Sequence, residues 1–135
     1  MASQAGISKK FMVLIVEDDP LICMMLEDIV DEAGFDFESA INATDGIAAL
    51  EKRGTRFSAL ITDIRMPGKG NGWDVGHRAH ELLPLLPIIY MTGDSAAEWK
   101  AHGEAGSILL QKPFANALLI AALSDLAYLA TGVFA

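Results

Sequence analysis

The chain has 135 residues, 52% hydrophobic and 21% charged, with 10 Lys and Arg against 18 Asp and Glu for a net charge of −8. That length suits one domain with a sizeable core and leaves little room for a second. The charge balance excludes a disordered polar chain and gives no electrostatic reason for direct binding to nucleic acid or an anionic membrane.

Cys23 is the only cysteine, so neither an intrachain disulfide nor a cysteine-based metal cluster can form, and a reducing, cytoplasmic setting is expected. Residues 1–10, MASQAGISKK, lack the apolar region and cleavage site of a secretory signal and read as a flexible tail. One domain is expected over 11–130, followed by a short tail over 131–135.

Within that domain, short β-branched runs alternate with segments of helical period, the pattern of a parallel sheet covered on both faces. Phe11 to Val16 reads as the first strand. Pro20 to Glu32 reads as the first helix, with Asp19 as N-cap, Pro20 at its first position and Gly34 as its stop. Phe35 to Ala40 is a weaker second strand, and Thr44 to Lys52 a second helix capped by Thr44 or Asn42. Phe57 to Thr62 forms the third strand, and a third helix follows Gly72 to about Leu83.

Pro87 to Met91 is the fourth strand, Ser95 to His102 a short fourth helix, Ser107 to Gln111 the fifth strand and Asn116 to Ala130 the fifth helix. The apolar segment ALLIAALSDLAYLATGVFA is interrupted by Ser124 and Asp125. It falls short of the roughly 18 uninterrupted apolar residues of a membrane span and reads as a core helix.

In an open parallel sheet, the site lies where loops converge at the carboxyl ends of the strands. The first strand ends in Glu17, Asp18 and Asp19, the third in Asp63, the fourth in Thr92, Gly93 and Asp94, and the fifth in Lys112 and Pro113. Carboxylates held this close raise one another's pKa unless a cation intervenes. Hard oxygen ligands with room for water and phosphate oxygens suit Mg²⁺. A carboxylate beside Mg²⁺ and a lysine can act as nucleophile toward a phosphoryl donor, giving an aspartyl phosphate.

These residues resemble the receiver domains of two-component response regulators. The carriers are VLIVEDDP at the first strand end, ALITDIRMPG at the third, YMTGDS at the fourth and KPF at the fifth. The resemblance covers roughly Phe11 to Ala130 and implies a flavodoxin-like (βα)5 fold with strand order 2-1-3-4-5. It makes Asp63 the phosphoacceptor, Asp18 a direct Mg²⁺ ligand, Glu17 the second acid and Arg65 a backbone-carbonyl ligand. Thr92 matches the switch hydroxyl and Lys112 the phosphate-pairing lysine. Pro113 matches the proline expected after a cis peptide, and Gly93 the small residue that leaves the phosphoryl group access.

The resemblance further implies a bacterial, cytoplasmic phosphorelay module rather than an enzyme, with slow autodephosphorylation. Its partners would be a histidine kinase or histidine phosphotransfer protein and a downstream protein. No output domain is expected after the fifth helix, so output is expected through that partner, and the starting Met is read as mildly favouring a stand-alone protein. A receiver cut from a hybrid histidine kinase is the alternative wiring. A haloacid-dehalogenase-like phosphatase would want D-x-D where Arg65 stands, and a flavin mononucleotide carrier would want a phosphate loop where Glu17, Asp18 and Asp19 stand.

Three departures stand out. An aromatic three residues before the lysine is usual in the family, but here that position is Leu109. Tyr90 is the nearby aromatic, read either as a substitute for the missing switch residue or as a structural strand residue. The loop MPGKGNGW is one residue longer than in common receivers, its three glycines permitting positive-φ turns. Finally, Arg65 and Asp94, two residues beyond Asp63 and Thr92, carry opposite charges and are expected to pair across the pocket mouth.

Elsewhere the ordinary readings hold. His77, His80 and His102 are expected to be solvated; Cys23, Met24, Met25 and Leu26 to pack; and Trp99 to be buried. Leu118, Leu119, Ile120, Leu123, Leu126 and Leu129 spread round more than one stripe of the fifth helix, which reads either as a homodimer contact or as a wholly buried helix; the resemblance implies that such a dimer would form through the fourth helix, fifth strand and fifth helix.

Overall fold

The computed structural model describes residues 11–94 and 96–131, with backbone alone for 129–131. The tails expected over 1–10 and 132–135, and Ser95, lie outside the described residues. Strands β1 (Met12–Val16), β2 (Asp36–Ala40), β3 (Ala59–Asp63), β4 (Ile88–Thr92) and β5 (Ile108–Gln111) alternate with helices α1 (Pro20–Glu32), α2 (Ala43–Arg53), α3 (Gly72–Leu82), α4 (Trp99–His102) and α5 (Asn116–Thr131). All strand pairs are parallel, in the order β2-β1-β3-β4-β5. This is the expected flavodoxin-like (βα)5 arrangement, with β1, β3 and β4 interior.

Strand side chains alternate between faces, and the core divides accordingly. Val13, Ile15, Ile61, Ile89, Met91 and Leu110 pack with Leu26, Ile29 and Val30 of α1 and Leu119 and Leu123 of α5. On the other face, Leu14, Val16, Leu60, Ile88 and Tyr90 pack with Ala49 and Leu50 of α2 and Trp73, Val75 and Ala79 of α3. Each large aliphatic side chain withdrawn from water contributes about 1.5–3 kcal/mol, so both faces stabilise the sheet that carries the strand ends.

Local signals set the helix starts. Asp19 accepts from the Leu21 and Ile22 N–H groups at 2.9 and 3.3 Å, leaving Pro20 at a position that needs no N–H. Asn42, rather than Thr44, caps α2, accepting from the Asp45 N–H at 2.7 Å. At α3, Asn71 and Asp74 form a reciprocal capping box. The long loop before it turns on Gly68 and Gly70 at φ +92° and +86°. Gly72 serves differently, since a Cβ there would lie 2.1 Å from the Asp63 carbonyl oxygen.

Three expectations change. The fourth helix is a 3-10 turn over Ala96–Glu98 followed by four α-helical residues. Trp99 is half-buried, its Nε1 donating to Ser107 Oγ at 3.0 Å. Met24 and Met25 are exposed at 59% and 46%, because the 100° helical step turns them outward with Leu21 while Cys23 and Leu26 face the sheet.

Candidate functional site

The strand ends bring the predicted residues together. Asp63 closes β3 between β1 and β4, and its side chain projects at the carboxyl edge next to Glu17 and Asp18, which follow β1 directly. One carboxylate oxygen from each of Glu17, Asp18 and Asp63 lies within 4.8 Å of the others. Lys112, just beyond β5, places Nζ 3.4 Å from Asp63 Oδ2 and 3.4 Å from Glu17 Oε1.

Backbone donors fix the carboxylates. The Ile64 N–H donates to Asp63 Oδ1 at 2.9 Å, and the Asp19 N–H to Glu17 Oε2 at 3.0 Å. Thr62 Oγ1 donates to the Asp63 carbonyl at 2.8 Å. Glu17 is only 1% exposed. Burial pushes its carboxyl up to about 7; the Asp19 N–H opposes this, and the Asp63 charge reinforces it. Burial also raises Asp63, against the pull of Lys112 and the Ile64 N–H.

An all-oxygen donor set with more carboxylates than the single lysine can neutralise is the charge pattern of a hard divalent cation site. The residues therefore fit Mg²⁺.

Thr92 ends β4, buried at 1%, and its Oγ1 accepts from the Asp94 N–H at 3.2 Å. Its carbonyl accepts from the Lys112 N–H at 2.7 Å, tying the two strand ends together. Gly93 is exposed, with nothing within 4 Å of where a Cβ would stand. The Lys112–Pro113 peptide is cis. Arg65 Nε donates to Asp94 Oδ1 at 3.0 Å, with both side chains 66% exposed.

Tyr90 lies fully buried on the face opposite α1 and α5, its ring centroid 4.8 Å from that of Trp73. Its hydroxyl accepts from the Glu104 N–H at 3.3 Å, and burial pushes the phenol up to about 12. Leu109 is its register partner on β5. The ring thus occupies core beside the position where an aromatic was expected.

Two histidines expected to be solvated are engaged. His77 and His80, three residues apart on α3, both face the Glu104 carboxylate, while exposed His102 lies 5.8 Å from the Trp73 ring. Helical spacing predicts a shared face for His77 and His80. Their acid comes from a loop 24 positions beyond His80, and no local pattern announces it.

Residues 13–124 match the profile of the response regulator receiver domain. The chain belongs to this family. Among curated relatives, the response regulator receiver protein CpdR of Brucella abortus is 31% identical over 104 residues, 76% of this chain and 84% of that protein. The probable transcriptional regulatory protein TcrX of Mycobacterium tuberculosis is 28% identical over 76% of this chain and 43% of its own length. The chain thus spans less than half of the first curated relatives it matches.

A response regulator receiver protein from Sinorhizobium medicae superposes with a TM-score of 0.83 at 33% identity, over 87% of this chain and 94% of that one. The receiver of the Pseudomonas aeruginosa sensor histidine kinase PA1611 has the same fold at 21% identity over 86% of this chain and 96% of that one, TM-score 0.73, with magnesium in its active-site cleft. This receiver is therefore a regulatory domain of two-component signalling. Among its described residues, no helix is long and apolar enough to cross a membrane.

Proposed function

We propose that Asp63 accepts a phosphoryl group from a phosphohistidine of a histidine kinase or phosphotransfer protein, and that the phosphorylated receiver alters its affinity for a downstream protein. The observation that carries this reading is the Asp63 carboxylate at the edge of the central strand, between two acids and the Lys112 ammonium.

An Asp63 oxygen attacks phosphorus. The new O–P bond forms as the donor's P–N bond breaks, and the electron pair stays on the histidine nitrogen, which takes a proton from water. Glu17, Asp18, Asp63 and the Arg65 carbonyl would hold Mg²⁺, which would supply neutralising charge for the phosphoryl oxygens. Lys112 pairs with the phosphoryl group, Thr92 offers its hydroxyl, and Gly93 leaves the access path clear. Pro113 follows the lysine through a cis peptide.

With its hydroxyl held by the Glu104 N–H and its ring on Trp73, Tyr90 is a structural strand residue that fills the core beside Leu109. The Arg65–Asp94 pair spans the pocket mouth and limits water, so either Arg65→Ala or Asp94→Ala changes the isolated protein's dephosphorylation rate several-fold. Equal rates in both variants and the wild type would remove the pair from the mechanism.

The domain works in the cytoplasm. Its match to 84% of CpdR supports a stand-alone role; a match to 8% of the sensor protein EvgS of Escherichia coli, 30% identical, supports the hybrid-kinase alternative. Exposed Leu118 and Tyr128 on α5 support a homodimer through α4, β5 and α5.

Incubation with a small phosphodonor and Mg²⁺ tests the central reading by intact mass. The wild type gains about 80 Da, one phosphoryl group on a carboxylate, and Asp63→Asn gains none. An unmodified wild type refutes the reading, and native mass of the same samples reads the oligomeric state.

A further inference from the structure

Away from the acidic edge, one residue ties three elements together. Glu104, in the loop after α4, donates its backbone N–H to Tyr90 Oη of β4 at 3.3 Å. Its carboxylate meets two side chains of α3: Oε2 contacts His77 Nδ1, and Oε1 lies 3.0 Å from His80 Nδ1. The other His80 nitrogen, Nε2, lies 2.8 Å from the Leu86 carbonyl oxygen.

Carboxylate and carbonyl oxygens only accept, and a neutral imidazole carries a single N–H. Neutral His80 therefore serves one of its two acceptors and turns a lone pair toward the other. The imidazolium, with two donors, serves both. His77 faces no such conflict, because its neutral tautomer with the proton on Nδ1 satisfies Glu104 while its exposed side chain reaches water.

We propose that His80 and Glu104 form a proton-gated clasp that holds the α4–β5 loop, and through it the Tyr90 hydroxyl, against α3. Among the described residues, the titratable groups in contact with it are His77 of α3, Glu104 of the loop and Tyr90 of β4. Arg78 of α3 is engaged by Glu51 of α2 and by Glu81, and His102 of α4 lies against Trp73. Both acceptors are served only by the doubly protonated ring, so the clasp is closed while His80 carries two ring protons and opens when one leaves. Its opening loosens the loop between α4 and β5, making the surface presented there responsive to protons as well as to phosphorylation.

The clasp does not depend on phosphorylation, and the unphosphorylated full chain tests it. Nitrogen NMR of the histidine rings, followed across a pH series, should find both His80 nitrogens protonated at its acid end. The protection factor of the Glu104 amide should fall about tenfold as that second proton leaves. In Glu104→Gln the side-chain amide can donate to a bare Nδ1, so His80 keeps a single ring proton and Glu104→Gln loses the pH dependence, as does His80→Gln. A single His80 ring proton in the wild type throughout, or pH-dependent loosening that survives both substitutions, overturns the clasp. The wild-type ring spectrum decides by itself if either variant fails to fold.

Discussion

In metal-free protein, Glu17→Gln raises stability at neutral and mildly alkaline pH by about 2 to 3 kcal/mol, and most of the response to Mg²⁺ disappears with it. The Glu17 carboxyl is held at about 7, against 4.5 in an ordinary environment, chiefly by burial. Between those two values the folded chain keeps a proton that the unfolded chain has released, so stability falls as pH rises through that window. The whole shift corresponds to about 3 kcal/mol.

Glutamine retains an oxygen for the Asp19 N–H and removes the charge. Urea midpoints with chelator, from about pH 4 to about pH 8, should slope downward for the wild type and much less for Glu17→Gln. Mg²⁺ should lift the wild type most at the alkaline end, where the ligands are already ionised. Coincident profiles for the two proteins would remove Glu17 as the source of the slope.

Gly72→Ala destabilises the domain by about 3 kcal/mol and slows phosphorylation of Asp63. The size and the sign are both informative. Alanine inside a helix is ordinarily favoured over glycine by about 1 kcal/mol, so propensity alone predicts a gain. The contact predicts a loss, because the added Cβ would stand 2.1 Å from the Asp63 carbonyl oxygen and 2.8 Å from Ile64 Cα. Those are backbone atoms and cannot rotate away. Either α3 lifts off, losing the 2.8 Å bond from the Gly72 N–H to the Ile64 carbonyl, or Asp63 shifts relative to Lys112. Chemical denaturation combined with the phosphodonor mass assay reads both effects, and a stabilised, fully active variant would show that the close approach is not required.

The alternation of apolar runs and helical segments was enough to order all five βα units, because the interior strands β1, β3 and β4 are almost wholly buried and α1, α2 and α3 are each capped by a side chain at their own start. Asp19 and Pro20 placed the start of α1. The acidic edge was readable for the same reason: a parallel sheet delivers every strand's last residue to one side, so Glu17, Asp63, Thr92 and Lys112 met without any contact information.

What the sequence withheld depended on packing between elements distant along the chain. The exposure of Met24 and Met25 could have been read from helical phase. The depth of Tyr90 could not, since it follows from Trp73 and Gly76 on α3 leaving room for the ring, with Gly76 directly against its hydroxyl. Glu104 acquires its histidines only when the loop folds back over α3. The short fourth helix was expected, but the 3-10 geometry of the turn that leads into it was not, because side-chain periodicity does not distinguish the two.

Lys112 reaches Glu17 across 95 positions of chain. A growing polypeptide that has made β1 to β4 already owns its acids and Asp63 but lacks the ammonium, which arrives only when β5 docks on β4. In the proposed reaction the centre is therefore complete only once β5 has docked on β4, and a chain that ends short of β5 lacks the ammonium that would pair with the phosphoryl group.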